Sequence, residues 1–149
     1  MEYNARKFVQ SSYNENDEFA KNIFLDFIKK RGHSIINSEE NFKHDVISIK
    51  NGVTFYFELE VKIGYPFTSK ESFKFNTVSF LGRKKRLHDI HPFYYVVICK
   101  ETKSALFADS NNIYNNNFFE QVKVNVNDRK GNDGMYRVPK NLCTFFTIT

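Results

Sequence analysis

Apolar residues recur every three or four positions in the first third of the chain. They are Phe19, Ala20, Ile23, Phe24, Phe27 and Ile28. This spacing places them on one face of an α-helix, which Asn14 or Asn16 can cap and whose first turn is rich in acidic residues. Gly32 stands where a glycine commonly ends a helix. The pattern therefore predicts an amphipathic helix before Gly32 and a short strand at residues 33–36.

The period then changes from that of a helix to that of a strand. Residues 45–62, DVISIKNGVTFYFELEVK, contain two β-rich runs on either side of Asn51-Gly52. That dipeptide favours the two-residue turn of a β-hairpin. A hairpin closed by this turn pairs Lys50 with Val53.

The second half of the chain predicts further strands. They are TVSFL, PFYYVVICK, SALFAD, VKVNV and parts of MYRVPKNLCTFFTIT. The basic stretch GRKKRLHDIH is a loop or a short helix, and SNNIYNNNFFEQ can hold a short helix. One helix followed by several strands indicates an α/β or α+β fold, with a central mixed sheet and a flanking N-terminal helix. We expect a single domain over residues 1–149.

Composition and charge narrow the functional classes. The chain is 41% hydrophobic and 17% aromatic, so it lacks the signature of disorder. Its net charge of +5 permits a nucleic-acid partner without requiring one. Cys99 and Cys143 form no disulfide framework, and neither a signal peptide nor a membrane span is evident. We expect a cytoplasmic protein with no membrane partner, in a host cytoplasm if a phage encodes it.

One face of the predicted hairpin is charged. Across a two-residue turn, Asp45 falls opposite Glu58, and strand alternation adds Glu60 and Lys62 to the same face. Opposed residues lie about 5 Å apart and diagonal neighbours about 7–8 Å apart. The three acids therefore converge at one end of the hairpin. The other face carries ordinary core residues: Val46, Phe55, Phe57, Leu59 and Val61.

Two interpretations of this charged face are open. Three adjacent carboxylates repel one another, and a hard divalent cation such as Mg²⁺ or Mn²⁺ relieves that repulsion. Lys62 beside such an ion could orient a water or offset charge on a phosphate. Alternatively, the acids form the solvated face of an edge hairpin, and Lys62 makes a surface ion pair that contributes little.

The stretch HDVISIKNGVTFYFELEVK resembles the core of the PD-(D/E)xK nuclease superfamily, which has the restriction-endonuclease-like fold. It is especially similar to the resolvase-like branch, in which a helix leads into a D…(E/D)xK hairpin. The similar block covers residues 16–62, and the second half suits the extra strands of small phage-type members. The resemblance implies a metal-dependent DNA endonuclease that hydrolyses phosphodiester bonds, including those of branched or junction DNA. A homodimer would allow paired cuts, and RNA could use the same site.

The resemblance also implies a role for individual residues. Asp45 matches the first acid of the motif, a ligand of Mg²⁺ or Mn²⁺. Glu60 matches the second acid, the Val61 carbonyl would bind the same ion, and Lys62 matches the catalytic lysine. Glu18 on the predicted helix matches an acid that supports a second metal in some members, with Glu15 as a rival. An inactive nuclease-fold module that binds DNA or a protein is the alternative function.

The sequence departs from the family pattern in two places. His44 precedes Asp45 where proline is common. More seriously, the residue opposite Asp45 is Glu58, and the lysine position that follows from it holds Glu60. Either the hairpin register slips or twists, so that Glu60-Val61-Lys62 is the motif, or Glu58-Leu59-Glu60 acts as a variant. We expect the slip, because it keeps the lysine, and we count Glu58 as a further candidate ligand.

A basic run follows the candidate motif. It consists of Arg83, Lys84, Lys85 and Arg86. Four adjacent cations could contact the phosphates of a nucleic acid. A solvated loop is the alternative, and the nearby nuclease-like stretch favours contact with DNA.

Overall fold

The structure, a computed structural model, describes residues 10–37, 44–121 and 134–148. The helices are α1 (Gln10–Lys29), α2 (Lys85–Ile90) and α3 (Ser110–Ile113). The strands are β1 (Ser34–Asn37), β2 (Val46–Lys50), β3 (Val53–Lys62), β4 (Thr77–Leu81), β5 (Tyr94–Cys99), β6 (Ser104–Asp109), β7 (Phe119–Gln121), β8 (Gly134–Pro139) and β9 (Thr144–Thr147). Short 3₁₀ turns lie at Gly82–Lys84, Asn116–Phe118 and Lys140–Leu142. The predicted strand VKVNV, residues 122–126, lies outside the described residues.

The larger sheet is mixed, as predicted. Its strand order is β1-β2-β3-β5-β6-β9, and β3 and β5 are parallel while the other neighbours are antiparallel. Two parallel strands need a long crossover connection, and here the segment of chain that connects β3 to β5 contains β4 and α2. With α1 packed on one face of this sheet, the predicted mixed α/β fold is confirmed.

A second, three-stranded sheet was not predicted. It has the antiparallel order β4-β8-β7 and lies on the face of the larger sheet away from α1. The TVSFL strand is confirmed as β4, but it belongs to this smaller sheet. Local alternation shows that a strand exists, but it does not choose between partners that are distant in sequence.

Helix α1 confirms the predicted helix, but it begins earlier than predicted. It begins at Gln10, before the predicted caps Asn14 and Asn16, so no acidic residue lies in its first turn. Its end agrees with the prediction, since Gly32 has a φ of +93°, in the left-handed region where glycine is favoured.

The core has two layers, one on each face of the larger sheet. In the first layer, Ala20, Phe24 and Ile28 of α1 pack against Phe57 and Leu59 of β3. Of the five residues predicted for this face of the hairpin, Val46, Phe57 and Leu59 are buried, and Phe55 and Val61 are partly buried.

The second layer lies between the two sheets. Val78 and Phe80 of β4, with Tyr136 and Val138 of β8, cover Tyr95 of β5. The charged face of β3 belongs to this side of the larger sheet, where Glu58 is buried and Glu60 and Lys62 are partly exposed.

Among the described helices, none is both long and apolar enough to cross a membrane.

The predicted hairpin turn is confirmed. Asn51 and Gly52 have φ angles of +53° and +77°, as a two-residue turn of mirror-image type requires. Lys50 pairs with Val53 and Val46 with Phe57, so the register runs without a shift along β2.

We expect Gly52→Ala to lower the free energy of unfolding by about 1 kcal/mol, because a Cβ disfavours positive φ. Asn51→Gly is the matched control, and it should change that free energy by less than about 0.5 kcal/mol. Urea unfolding followed by circular dichroism measures both. Equal effects of the two substitutions would contradict the turn.

Candidate functional site

The candidate site begins where β3 loses one of its two neighbours. Strand β2 starts at Val46, opposite Phe57, whereas β3 continues to Lys62. Over residues 58–62, β5 is the strand paired with β3 among the described residues. Asp45 lies where β2 ends, so its carboxylate lies beside an edge of β3 that has no strand partner among the described residues.

Two hydrogen bonds join Asp45 to β3, one to Glu58 and one to Leu59. The Asp45 backbone N–H donates to Glu58 Oε2 at 2.7 Å. The Leu59 backbone N–H donates to Asp45 Oδ2 at 2.9 Å. Each carboxylate thus binds the backbone of the other strand, and Asp45 stays opposite Glu58. The expected register slip, which would have placed Glu60 opposite Asp45, is wrong.

Glu58 is the most deeply buried acid of the group, with only 2% of its surface exposed. Its Oε1 accepts a hydrogen bond from Lys84 Nζ at 2.9 Å. Burial raises the pKa of Glu58, the positive charge of Lys84 offsets part of that rise, and the neighbouring Asp45 adds to it. A carboxylate buried this deeply needs a paired cation. The solvated-face interpretation therefore does not hold for Glu58.

Lys84 is the cation that faces this acidic cluster. Burial lowers its pKa, but the charges of Glu58, Asp45 and Glu60 outweigh burial and raise that pKa above its ordinary value. Its Nζ also lies 5.4 Å from the centre of the Tyr95 ring. Lys84 is consequently a positive charge that pairs with Glu58 and is stabilised by the charges of Asp45 and Glu60.

Glu60 continues the charged face one step along β3. Tyr95 donates its hydroxyl proton to Glu60 Oε1 at 2.7 Å, and Lys62 Nζ lies 3.4 Å from Glu60 Oε2. Burial and the charge of Glu60 raise the pKa of Tyr95 well above its ordinary value, so its hydroxyl remains a donor. Lys62 has 41% of its side chain exposed and occupies the rim of the site.

A cleft of about 220 Å³ opens at this edge of β3. Its lining includes Asn16 and Asp17 of α1, Glu60 and Val61 of β3, and Arg83 and Lys84 of the 3₁₀ turn. A phosphate group entering the cleft would meet the carboxylates of Asp17 and Glu60 and the basic side chains of Arg83 and Lys84.

The helix acid nearest the cleft differs from the expected one. Glu18 and its rival Glu15 are exposed on α1 and do not line the cleft. Asp17, next to Glu18 in sequence, does line it. Helical phase explains the difference, since adjacent residues point about 100° apart and only one can face β3.

The basic run is divided between different environments. Lys84 binds Glu58, and Lys85 pairs with Asp89 at 3.1 Å across one turn of α2. Arg83 lines the cleft, and Arg83 and Arg86 are exposed. Contact between this basic run and phosphates stays a prediction. Arg83 and Arg86 are the two residues of the run best placed for it.

The sequence pattern predicted that Asp45, Glu58, Glu60 and Lys62 lie on one face, but it indicated neither Tyr95 nor the position of Lys84. Lys84 was one of four adjacent cations, and no local pattern distinguishes the one that turns inward. Tyr95 belongs to an apolar strand in which a tyrosine is an ordinary core residue. Both assignments depend on the packing of β4 and β5 against β3.

The donors at this site suit a hard cation. Within the described ranges, no group of three or more His, Cys, Asp or Glu side chains is arranged to hold a metal ion. Mg²⁺, however, is usually held by one or two carboxylates together with waters and substrate phosphates. Asp45 with Glu58 or Glu60, beside the edge carbonyl of Val61, offers that oxygen chemistry.

Comparisons of the chain with protein-family models, curated proteins and solved structures found no significant match.

Lys84→Met should lower the free energy of unfolding at pH 7 by about 3 kcal/mol, because it leaves Glu58 charged and buried without a cation. The folded-state pKa of Glu58 is already raised and would rise further in this variant. The loss should therefore be largest above that pKa and shrink as the pH falls through it and Glu58 takes up a proton.

Lys85→Met is the matched control, since it removes a lysine from the exposed pair with Asp89. It should cost less than about 1 kcal/mol, with little change between pH 8 and pH 5. Urea unfolding across that pH range measures both variants. Equal losses from Lys84→Met and Lys85→Met would show that Glu58 does not depend on Lys84.

Proposed function

We propose that the protein is a metal-dependent phosphodiesterase that cleaves DNA at the open edge of β3. One observation carries the proposal: the charges of Asp45, Glu58 and Glu60 all act on one half-buried lysine, Lys84, which lines a cleft. Structural packing alone does not call for three acids there, since apolar residues of similar volume often stabilise a core as well as a buried ion pair does.

The acids are the residues that would hold Mg²⁺ or Mn²⁺. Asp45 and Glu58 form the first pair, and Glu60 and the Val61 carbonyl lie next along the strand. A bound divalent ion would polarise the scissile phosphate and lower the pKa of a water. In this assignment Glu58-Leu59-Glu60 replaces the expected Glu60-Val61-Lys62 as the pair of acids nearest Asp45.

Lys84 and Lys62 would have different roles in this activity. Lys84 keeps its proton because of the surrounding acids, so it stabilises negative charge on a phosphate and does not act as a base. Lys62 at the rim is more accessible, and it would orient a water or contact a phosphate beside Glu60. Arg83 in the cleft adds a further positive charge for the DNA backbone.

The resemblance to PD-(D/E)xK nucleases supports the same activity. Helix α1, the hairpin and the position of Asp45 follow the order of that family's core. Branched or junction DNA and a homodimer are part of this proposal, and RNA would meet the same groups.

A second candidate function is a nuclease-like module that binds DNA or a protein without cleaving it. The observation that favours it is that both strand acids already have partners, Lys84 for Glu58 and Tyr95 for Glu60. Calorimetric titration with Mn²⁺ separates the two functions. The nuclease should bind Mn²⁺ and lose that binding in Asp45→Asn, whereas the module needs no metal.

Cleavage assays test the proposed activity directly. Supercoiled plasmid, linear duplex, single strand and four-way junction are incubated with Mg²⁺ or Mn²⁺. Asp45→Asn and Glu58→Gln should lower the cleavage rate at least about 100-fold, since each removes a charged ligand of the ion. Lys84→Met should lose about 100-fold as well, because a fixed charge at the phosphate is removed.

Lys62→Ala tests the second lysine, and it should lower the cleavage rate less than Lys84→Met does. Lys29→Met removes an exposed lysine at the end of α1 and should leave the rate unchanged. Circular dichroism verifies that each variant is folded. Full activity in a folded Glu58→Gln protein would contradict the assignment, and no cleavage of any substrate by the wild type would favour the binding module.

A further inference from the structure

Lys62 also lines a second cleft, with a volume of about 220 Å³. Its aromatic lining residues are Tyr65, Phe67, Phe73 and Phe75. Since Lys62 forms an ion pair with Glu60, the second cleft adjoins the candidate cleavage site. A nucleic-acid strand that leaves the site past Lys62 would meet these rings.

The loop that carries the rings, residues 63–76, is fastened to the rest of the protein. Thr102 donates its hydroxyl proton to the Phe67 carbonyl at 2.6 Å, and Lys140 Nζ donates to the Lys70 carbonyl at 3.0 Å. Within the loop, Ser72 Oγ accepts a hydrogen bond from the Ser69 backbone N–H at 3.0 Å. The loop therefore holds its side chains in defined positions.

Two of the four rings pack into the core, and the other two are exposed. Phe67 is buried and Phe73 partly so, and both pack on the core between the two sheets. Tyr65 and Phe75 remain 53% and 45% exposed, and their ring centres lie 5.7 Å apart. An anchored loop that exposes two adjacent rings offers an aromatic surface to a ligand.

Positive charge accompanies the exposed rings. Lys74 Nζ lies 5.8 Å from the centre of the Tyr65 ring and 5.6 Å from that of Phe75. Lys62 and Arg137 line the same cleft, although Arg137 also pairs with Glu120. Aromatic faces beside basic groups are the surface on which proteins hold unpaired nucleotides, by stacking the bases and contacting the phosphates.

We propose that Tyr65 and Phe75 stack unpaired bases of a DNA strand that continues from the cleavage site. This inference rests on the proposed function, because it makes the preferred substrate a DNA with a single-stranded segment next to the scissile bond. Paired bases are stacked within the helix and cannot present their faces to the rings. Lys62 and Lys74 would contact the phosphates of the same strand.

Binding without cleavage tests the proposal. The full-length protein is titrated, in EDTA, against a short fluorescein-labelled oligo-dT strand and against a blunt duplex, and anisotropy is recorded. Tyr65→Ala and Phe75→Ala should each weaken binding of the single strand roughly fivefold or more, the lower range for loss of one stacked base. Binding of the duplex should change less than about twofold, because it does not use the rings.

Two controls separate stacking from general damage. Tyr65→Phe and Phe75→Tyr keep the rings and should bind the single strand as the wild type does. Ile36→Ala removes an exposed apolar side chain on β1, 54% exposed, and should have no effect. Equal loss for strand and duplex, loss in the ring-preserving variants, unchanged binding in the alanine variants, or no binding of the single strand by the wild type would each overturn the proposal.

A parallel cleavage assay with Mn²⁺ separates this inference from the proposed function. Ring-dependent binding by a protein that cuts no DNA would support stacking and overturn the nuclease. Cleavage by a protein whose single-strand binding ignores Tyr65 and Phe75 would overturn stacking and leave the nuclease standing.

Discussion

The ion pair between Glu58 and Lys84 is the constraint on which the candidate site depends. A carboxylate that is 2% exposed on a central strand is costly to keep charged without a cation. Lys84 supplies that cation from the turn between β4 and α2. The pair thereby links β3 to the smaller sheet, while Glu58 also binds the backbone of Asp45. Removing either charge would affect both the packing of the two sheets and the geometry of the acids.

The smaller sheet lowers the dielectric constant around the acids of β3. On an open hairpin, the acids of β3 would be hydrated and their charges screened. Beneath β4 and β8 they lie partly in a medium of lower dielectric constant, where each charge acts more strongly on its neighbours. Burial raises the pKa of Glu58 and that of Tyr95. The nearby acids raise the pKa of Lys84, although burial lowers it. The cleft at the edge of β3 reaches Glu60 and Lys84 of this region.

Local patterns in the sequence were sufficient for the hairpin and its charged face. Asn51-Gly52 determines the turn, the turn determines the register, and the register places Asp45 opposite Glu58. The start of α1, the smaller sheet and the inward turn of Lys84 were not predictable in this way. The smaller sheet and the position of Lys84 depend on contacts between residues far apart in sequence, which neither periodicity nor turn chemistry encodes. The expected register slip failed because it followed the family motif against the geometry of the turn.

A double-mutant cycle on Glu58→Gln and Lys84→Met measures whether Glu58 depends on Lys84. The free energy of unfolding is measured at pH 7 for the wild type, both single variants and the double variant. The double variant should be more stable than Lys84→Met alone, with a coupling of at least about 1 kcal/mol, because no charge is left buried without a partner. Effects that add within about 0.5 kcal/mol would show that the two side chains act independently and that the ion pair does not hold the site together.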